Sequence, residues 1–299
     1  MAQEKKDIYL LTANLGFRLF DDFKKAFPER FIDVGVAEGN MIGIASGMAM
    51  SGKNVYCYSM VPFLIMRSYE QIRVDVAYHN LNVKLIGVGS GFTYGLEGFT
   101  HFGIEDMALM RAMPNMNVVV PAGAEDSEHL VKISYDFPGP LYIRLGRVNP
   151  LFKYPGKYSF KIGQGIVVQE GRDIALFAIG DMVYEAQQTI ELLKNKGISA
   201  ALINMHTLKP LDVSLIKKYA RFCSNIFTLE EHSVIGGLGS AVAEVLTEVG
   251  YKGRFQRIGI PEKMLDIHGT SLYLREKYGL VAERISQKIL KSITESRLC

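Results

Sequence analysis

Short runs rich in β-branched residues alternate along this chain with longer stretches whose apolar positions recur every three or four residues. Such alternation argues for parallel strands joined by helical crossovers. In the first half the pattern predicts strands at 7–12, 31–34, 54–58, 83–88, 118–121 and 141–145. Helices are predicted between them at 17–27, 40–51, 63–80, 104–113 and 124–135. Pro138, Gly139 and Pro140, then Pro150, Pro155, Gly156 and Gly163, interrupt the periodicity and mark a linker. A second run follows, with strands predicted at 174–179, 200–204, 226–229 and 255–258. Its helices are predicted at 183–196, 211–221, 240–249, 271–278 and 281–293. Lys194 and Lys196 ahead of Gly197 give one of these an ordinary basic, glycine-closed end. The expected architecture is two consecutive three-layer α/β/α domains with mostly parallel sheets: residues 1–147, a linker at 148–165, and residues 166–299.

Parallel strands point their carboxyl ends at one edge, where ligands of such sheets collect. Three segments of the first domain converge there: the stretch around Glu38, residues 58–67, and the loop after Val88. Glu38 stands where a strand hands over to a helix crowded with Gly43, Ala45, Gly47 and Ala49. Small residues let a flat ligand or another backbone come close. Burying an unpaired charge is costly, so a lone glutamate in this setting has two readings. It is a functional carboxylate, or a helix N-terminal charge favoured by the macrodipole by ~0.3–1 kcal/mol.

A chain of 299 residues suits two domains, and 48% hydrophobic with 22% charged residues describes a globular protein with ample core. The net charge of +3, without a dense Lys/Arg run, argues against nucleic acid or an acidic membrane surface as a partner. No apolar run reaches spanning length, and the opening residues lack the apolar core of a secretion signal. Cys57, Cys223 and Cys299 lie far apart, without metal-ligand spacing. Reduced thiols in a cytoplasmic protein are the expectation.

Several ordered motifs carry a resemblance. Glu38-Gly-Asn-Met-Ile-Gly-Ile-Ala-Ser-Gly, Tyr69-Glu-Gln-Ile-Arg73, Gly95-Leu-Glu-Gly-Phe-Thr-His101 and Ile104-Glu-Asp-Met-Ala-Leu-Met-Arg-Ala-Met-Pro114 resemble the pyrimidine-binding domain of transketolases. Asn204-Met-His-Thr-Leu-Lys-Pro-Leu-Asp212 and Glu230-Glu-His-Ser-Val-Ile-Gly-Gly-Leu-Gly-Ser240 resemble the C-terminal domain of the same enzymes. The likeness runs from Asp7 to Ile289. It leaves out the family's N-terminal domain, which holds the cofactor diphosphate through a divalent metal with a Gly-Asp-Gly…Asn motif. Gly180-Asp181-Met182, with Asn204 downstream, is the nearest imitation, but it lacks the second glycine and fits a helix start. No metal site is therefore expected on this chain. The resemblance implies the C-terminal subunit of a split transketolase, transferring a two-carbon ketol unit between sugar substrates. Thiamine diphosphate would be shared, its pyrimidine held by this chain and its diphosphate, with Mg2+ or Ca2+, mainly by a separate N-terminal subunit, in an α2β2 assembly.

The resemblance also implies roles. Glu38 matches the activating glutamate that hydrogen-bonds the cofactor's pyrimidine nitrogen, and such proton-transfer assistance is worth on the order of 10²–10⁴-fold. Phe63 matches an aromatic that stacks on the pyrimidine, worth ~0.5–1.5 kcal/mol beyond area burial; on the residues alone, core packing is the favoured reading. Met60 falls where another aromatic often stands, and a thioether can pack on a heterocycle. Tyr69 and Tyr58 are candidates for the pocket wall, and Asn14 lies near a family aspartate at the cofactor edge. His101 matches a histidine that binds substrate oxygens and could donate to a developing oxyanion. Glu97 takes the place of an aspartate that contacts a sugar hydroxyl. Arg147 matches an arginine that holds the substrate phosphate, with Arg144 as the alternative supplier.

Two departures stand out: Gly89 where a second substrate histidine is usual, and Phe102 where glutamine is common. Both are expected to reshape the substrate pocket. Glu230, Glu231 and His232, with Gly236, Gly237 and Gly239, read as a subunit interface or an anion-binding turn. Asp106, Arg111, Arg67, Glu70 and Arg73 read as structural helix charges. Other functions stay open. One is a related thiamine enzyme, either a 1-deoxyxylulose-5-phosphate synthase or the β-subunit of a 2-oxoacid dehydrogenase. Another is a non-catalytic assembly subunit.

Overall fold

A computed structural model describes residues 1–146, 152–263 and 266–295. The first half builds β1 (Ile8–Thr12), α1 (Asp21–Ala26), β2 (Phe31–Asp33), α2 (Glu38–Met50), β3 (Asn54–Met60) and a helical stretch made of Pro62–Arg67, α3 (Tyr69–Gln71) and Ile72–Tyr78. It continues through β4 (Val83–Val88), α4 (Asp106–Ala112), β5 (Asn117–Val119), α5 (Ala124–Ser134) and β6 (Leu141–Leu145). The second half contains β7 (Ile166–Gln169), β8 (Ile174–Ala178), α6 (Met182–Lys194), β9 (Ala200–Asn204), β10 (Thr207–Lys209) and α7 (Val213–Ala220). It ends with β11 (Asn225–Ser233), α8 (Leu238–Glu248), β12 (Arg254–Ile260), α9 (Ser271–Tyr278) and α10 (Ala282–Glu295).

Two mostly parallel sheets result, as the alternation predicts. The first runs β10-β5-β6-β4-β3-β1-β2 and the second β12-β11-β8-β9-β7. β10 joins β5 antiparallel and β7 joins β9 antiparallel; every other pairing is parallel. In the first sheet β1 lies between β2 and β3, so the chain reverses its direction of travel there. A crevice outside the carboxyl ends of such strands is where an open α/β sheet takes its ligand.

Differences from the expected elements have local causes. The helix expected at 17–27 shrinks to Asp21–Ala26 because Gly16 and Arg18 both sit at positive φ, 83° and 65°, and break the preceding turn. The helix expected at 63–80 forms as two wide-turned π-helical segments around a short α-helical one, a geometry concentrated at functional sites. β7 and β10, four and three residues long, are additions to the expected set.

β10 lies in the second half of the chain yet completes the first sheet. The halves are joined more deeply than that. Met107, Met110, Met113 and Met116 of the first half share one continuous core with Ile203, Met205, Leu208, Leu238 and Val242 of the second. Flexible thioethers suit such a seam between two halves.

Candidate functional site

The carboxyl edge beside β1 and β3 gathers the segments that follow β2, β3 and β4. β2 delivers Glu38 to the first position of α2, where the residue is 1% exposed. The carboxylate is held at both oxygens: Ser59 Oγ, near the end of β3, donates to Oε1 at 3.2 Å, and Arg67 Nη1 donates to Oε2 at 2.9 Å. Arg67 comes from the wide-turned helix, and half of its side chain remains in solvent. Its guanidinium also lies over the Phe63 ring, 4.7 Å from the centroid, as the four-residue spacing on one helix face allows. Phe63 in turn meets His101 edge to face, with ring centroids 5.2 Å apart. Thr100 Oγ1 and His101 Nδ1 are 2.9 Å apart.

Glu38, Arg67, Phe63 and His101 thus form one connected constellation, drawn from the segments that follow β2, β3 and β4. The expectation that Arg67 is a plain helix charge is corrected by this geometry. It pairs with Glu38, while the Glu70 carboxylate is taken by Gln71. A sequence signal exists for it: an arginine four residues beyond the aromatic candidate.

The remaining predicted positions are placed as follows. Met60 ends β3, next to Ser59, and is half-buried. Tyr69 packs against the main core and donates its hydroxyl to the Leu109 carbonyl at 3.3 Å. Asn14 follows β1 in a left-handed turn, φ 54°, its N–H held by Asp33 Oδ1 at 2.8 Å. Glu97 is exposed on a short helical turn just before the one that ends in His101. Tyr58 is packed edge-on against Phe20, and burial pushes its hydroxyl up to about 12. Arg147 lies outside the described residues.

Arg144 does not supply the alternative phosphate arm. It is 3% exposed. Nε is spent on Asp106 Oδ2 at 2.8 Å, and Nη2 on the Gly103 carbonyl at 2.6 Å and the Glu231 carbonyl at 3.1 Å.

The two departures at 89 and 102 also change meaning. Phe102 is 1% exposed and stacks edge-on with Phe92 in the second core, so its ring lines no substrate pocket. Gly89 sits at φ 95°, and a Cβ there would stand 2.5 Å from the Tyr94 ring. The space a side chain would occupy at 89 belongs to that tyrosine.

The acidic cluster of the second half is internal wiring, and the interface expectation is corrected. Glu230, Glu231 and His232 are all 3% exposed or less. Glu230 accepts the N–H groups of Leu238 and Gly239 at 2.7 and 2.8 Å, closing the start of α8; burial pushes its carboxyl up to about 7 against that pull. His232 accepts the Ala108 N–H at 3.4 Å. The carboxyl edge of the second sheet faces the first half. Ser233 N–H donates to the Ile104 carbonyl at 2.8 Å, and Asn204 Nδ2 to Asp126 Oδ2 at 3.2 Å. Asp181, the aspartate of the incomplete metal motif, lies 3.5 Å from Arg275 just before α6. The edge where this sheet would take a ligand is filled by protein.

Comparison with known proteins shows the family. The transketolase pyrimidine-binding domain family matches residues 1–150, and the transketolase C-terminal domain family matches residues 163–285. An apulose-4-phosphate transketolase subunit from Phocaeicola vulgatus is 38% identical over 295 residues, covering 98% of this chain and 94% of that one. A 6-deoxy-6-sulfo-D-fructose transketolase subunit from a Clostridium species is 39% identical over 264 residues, covering 88% and 81%. A solved structure described as a split-gene transketolase, inactive β4 tetramer, superposes with a TM-score of 0.86 at 39% identity, covering 98% of this chain and 94% of that one. The chain belongs to the transketolase family, of which it carries the pyrimidine-binding and C-terminal domains.

Proposed function

We propose that this chain is the pyrimidine-holding subunit of a two-chain, thiamine-diphosphate-dependent ketol transferase. The observation that carries the reading is the buried Glu38 carboxylate, fixed at both oxygens beside the half-exposed constellation of Arg67, Phe63 and His101. A fixed carboxyl next to an aromatic face is the donor set an aminopyrimidine requires. When bound, thiamine diphosphate supplies the nucleophilic carbon that carries the two-carbon unit between sugars.

Glu38 faces the ring nitrogen for hydrogen bonding, while Ser59 and Arg67 keep both carboxyl oxygens in place. Ordering these groups before reaction removes reorganisation from the barrier. Phe63 offers apolar contact to the heterocycle, with Met60, Tyr69 and Asn14 around the same edge. His101, whose Nδ1 lies 2.9 Å from Thr100 Oγ1, offers its Nε2 to a substrate oxygen. Glu97 accepts from a sugar hydroxyl, and Arg147 takes the anionic end of the substrate. A phosphorylated or sulfonated ketose is the substrate class that the relatives' names support.

The diphosphate and its Mg2+ or Ca2+ belong to a partner chain, an N-terminal transketolase subunit, with two copies of each chain in the cytoplasm. Relatives named as transketolase subunits, and a β4 tetramer described as inactive, support this division. Glu38→Gln in the complex with the partner chain tests the reading. Turnover of ketose donors is expected to fall on the order of 10²–10⁴-fold with an unchanged melting temperature. Undiminished turnover would remove the proton role.

A further inference from the structure

The loop that carries His101 is closed at its neck and gripped from the second half of the chain. Gly91 and Gly103 exchange both backbone hydrogen bonds, at 2.8 and 3.1 Å, so the residues between them form a compact loop. Glu231 stands directly against that neck: a Cβ on Gly91, which sits at φ 57°, would fall 2.4 Å from Glu231 Oε2. Arg275 of α9 fixes the Glu231 carboxylate with a two-pronged contact, Nε to Oε1 at 2.7 Å and Nη2 to Oε2 at 2.8 Å. Parallel bonds of this kind set orientation as well as distance. Around this fork, Ser271 Oγ donates to the Phe92 carbonyl at 2.7 Å and Gly269 N–H to the Gly95 carbonyl at 2.9 Å. The loop body therefore rests on the start of α9, and its neck rests on the Glu231–Arg275 pair.

We propose that Glu231 and Arg275 are positioning residues for the His101 loop, so that the C-terminal domain sets the substrate side of the site without touching substrate. This rests on the reading of His101 as a substrate-binding residue. Neither side chain belongs to the Glu38–Arg67–Phe63 group, so cofactor affinity should not depend on them. A displacement of about 1 Å in a positioned group can cost 10²-fold in rate.

The test uses the complex with the partner chain, with xylulose 5-phosphate and apulose 4-phosphate as donors. Arg275→Ala is expected to lower kcat/KM about 10–100-fold with the thiamine diphosphate Kd unchanged, and Arg275→Lys to recover part of it. In a His101→Asn background, Arg275→Ala should change kcat/KM by less than about 3-fold, because coupled residues are not additive. Deuterium exchange should quicken at the Gly91 and Gly103 amides and not in α2. Glu231→Gln, which keeps its volume, serves if Arg275→Ala does not fold. An equal loss in both backgrounds, weakened cofactor binding, or unchanged exchange at the neck would overturn the proposal. If His101→Asn alone leaves kcat/KM unaltered, the reading of His101 fails, while the exchange measurement still decides whether the pair holds the loop.

Discussion

Arg144→Met separates a structural arginine from a phosphate-binding one. The guanidinium is buried with Asp106, which is wholly excluded from solvent and also accepts the Tyr142 hydroxyl at 2.6 Å. Removing it leaves a buried carboxylate without its cation, and such a change costs about 3–5 kcal/mol. The Gly103 and Glu231 carbonyls lose a donor as well, each bond worth about 1 kcal/mol. These terms share one environment and do not simply add, so about 4 kcal/mol is expected, a large part of a typical domain's 5–15 kcal/mol. With a urea slope of about 3 kcal/mol per molar, the unfolding midpoint followed by circular dichroism should fall by more than 1 M. Asp106→Leu combined with Arg144→Met should regain much of that loss, since a buried pair replaced by apolar residues is often neutral. A variant that keeps its midpoint and only raises the KM for a phosphorylated donor would refute the reasoning and return Arg144 to the substrate.

Two further outcomes test other parts of the structure. Burial holds both His206 and His232 neutral, pulling each down to about 4. Between pH 6.5 and 4 the unfolded chain gains protons that the folded chain refuses, so stability falls as pH drops through that window. His206→Asn should give a shallower fall there by denaturant titration at several pH values; an identical slope would contradict the assignment. Gly89→Ala should cost at least about 1–2 kcal/mol from its positive φ, with added strain from the Tyr94 ring. A melting temperature equal to that of the unaltered chain would show that residue 89 is not constrained as described.

Much of the layered fold is legible in the sequence because strand and helix periods differ. The short strands β7 and β10 are not, since three or four residues carry no period. β10 in particular is defined by a partner strand from the other half of the chain, about 90 residues away. Glu38 and Phe63 are legible as motif residues at one sheet edge, and the structure brings them together with His101. Arg67 is legible only in its four-residue spacing from Phe63, because its pairing with Glu38 joins residues 29 apart in the chain, which no local pattern reveals. Phe102 and the Glu230–His232 cluster mislead for the same physical reason. A polar or aromatic residue beside a functional loop gives no sign in sequence of which side its side chain faces. Here they face inward, because the second half packs its carboxyl edge onto the first.

The central claim is that this chain holds the heterocyclic end of the cofactor while another chain holds its phosphates. Calorimetric titration of thiamine diphosphate, with and without Mg2+, into the purified chain and into its complex with the partner tests this most directly. The account predicts weak, metal-independent binding by the chain alone and tight, metal-dependent binding by the complex. Tight metal-dependent binding by the chain alone would contradict it.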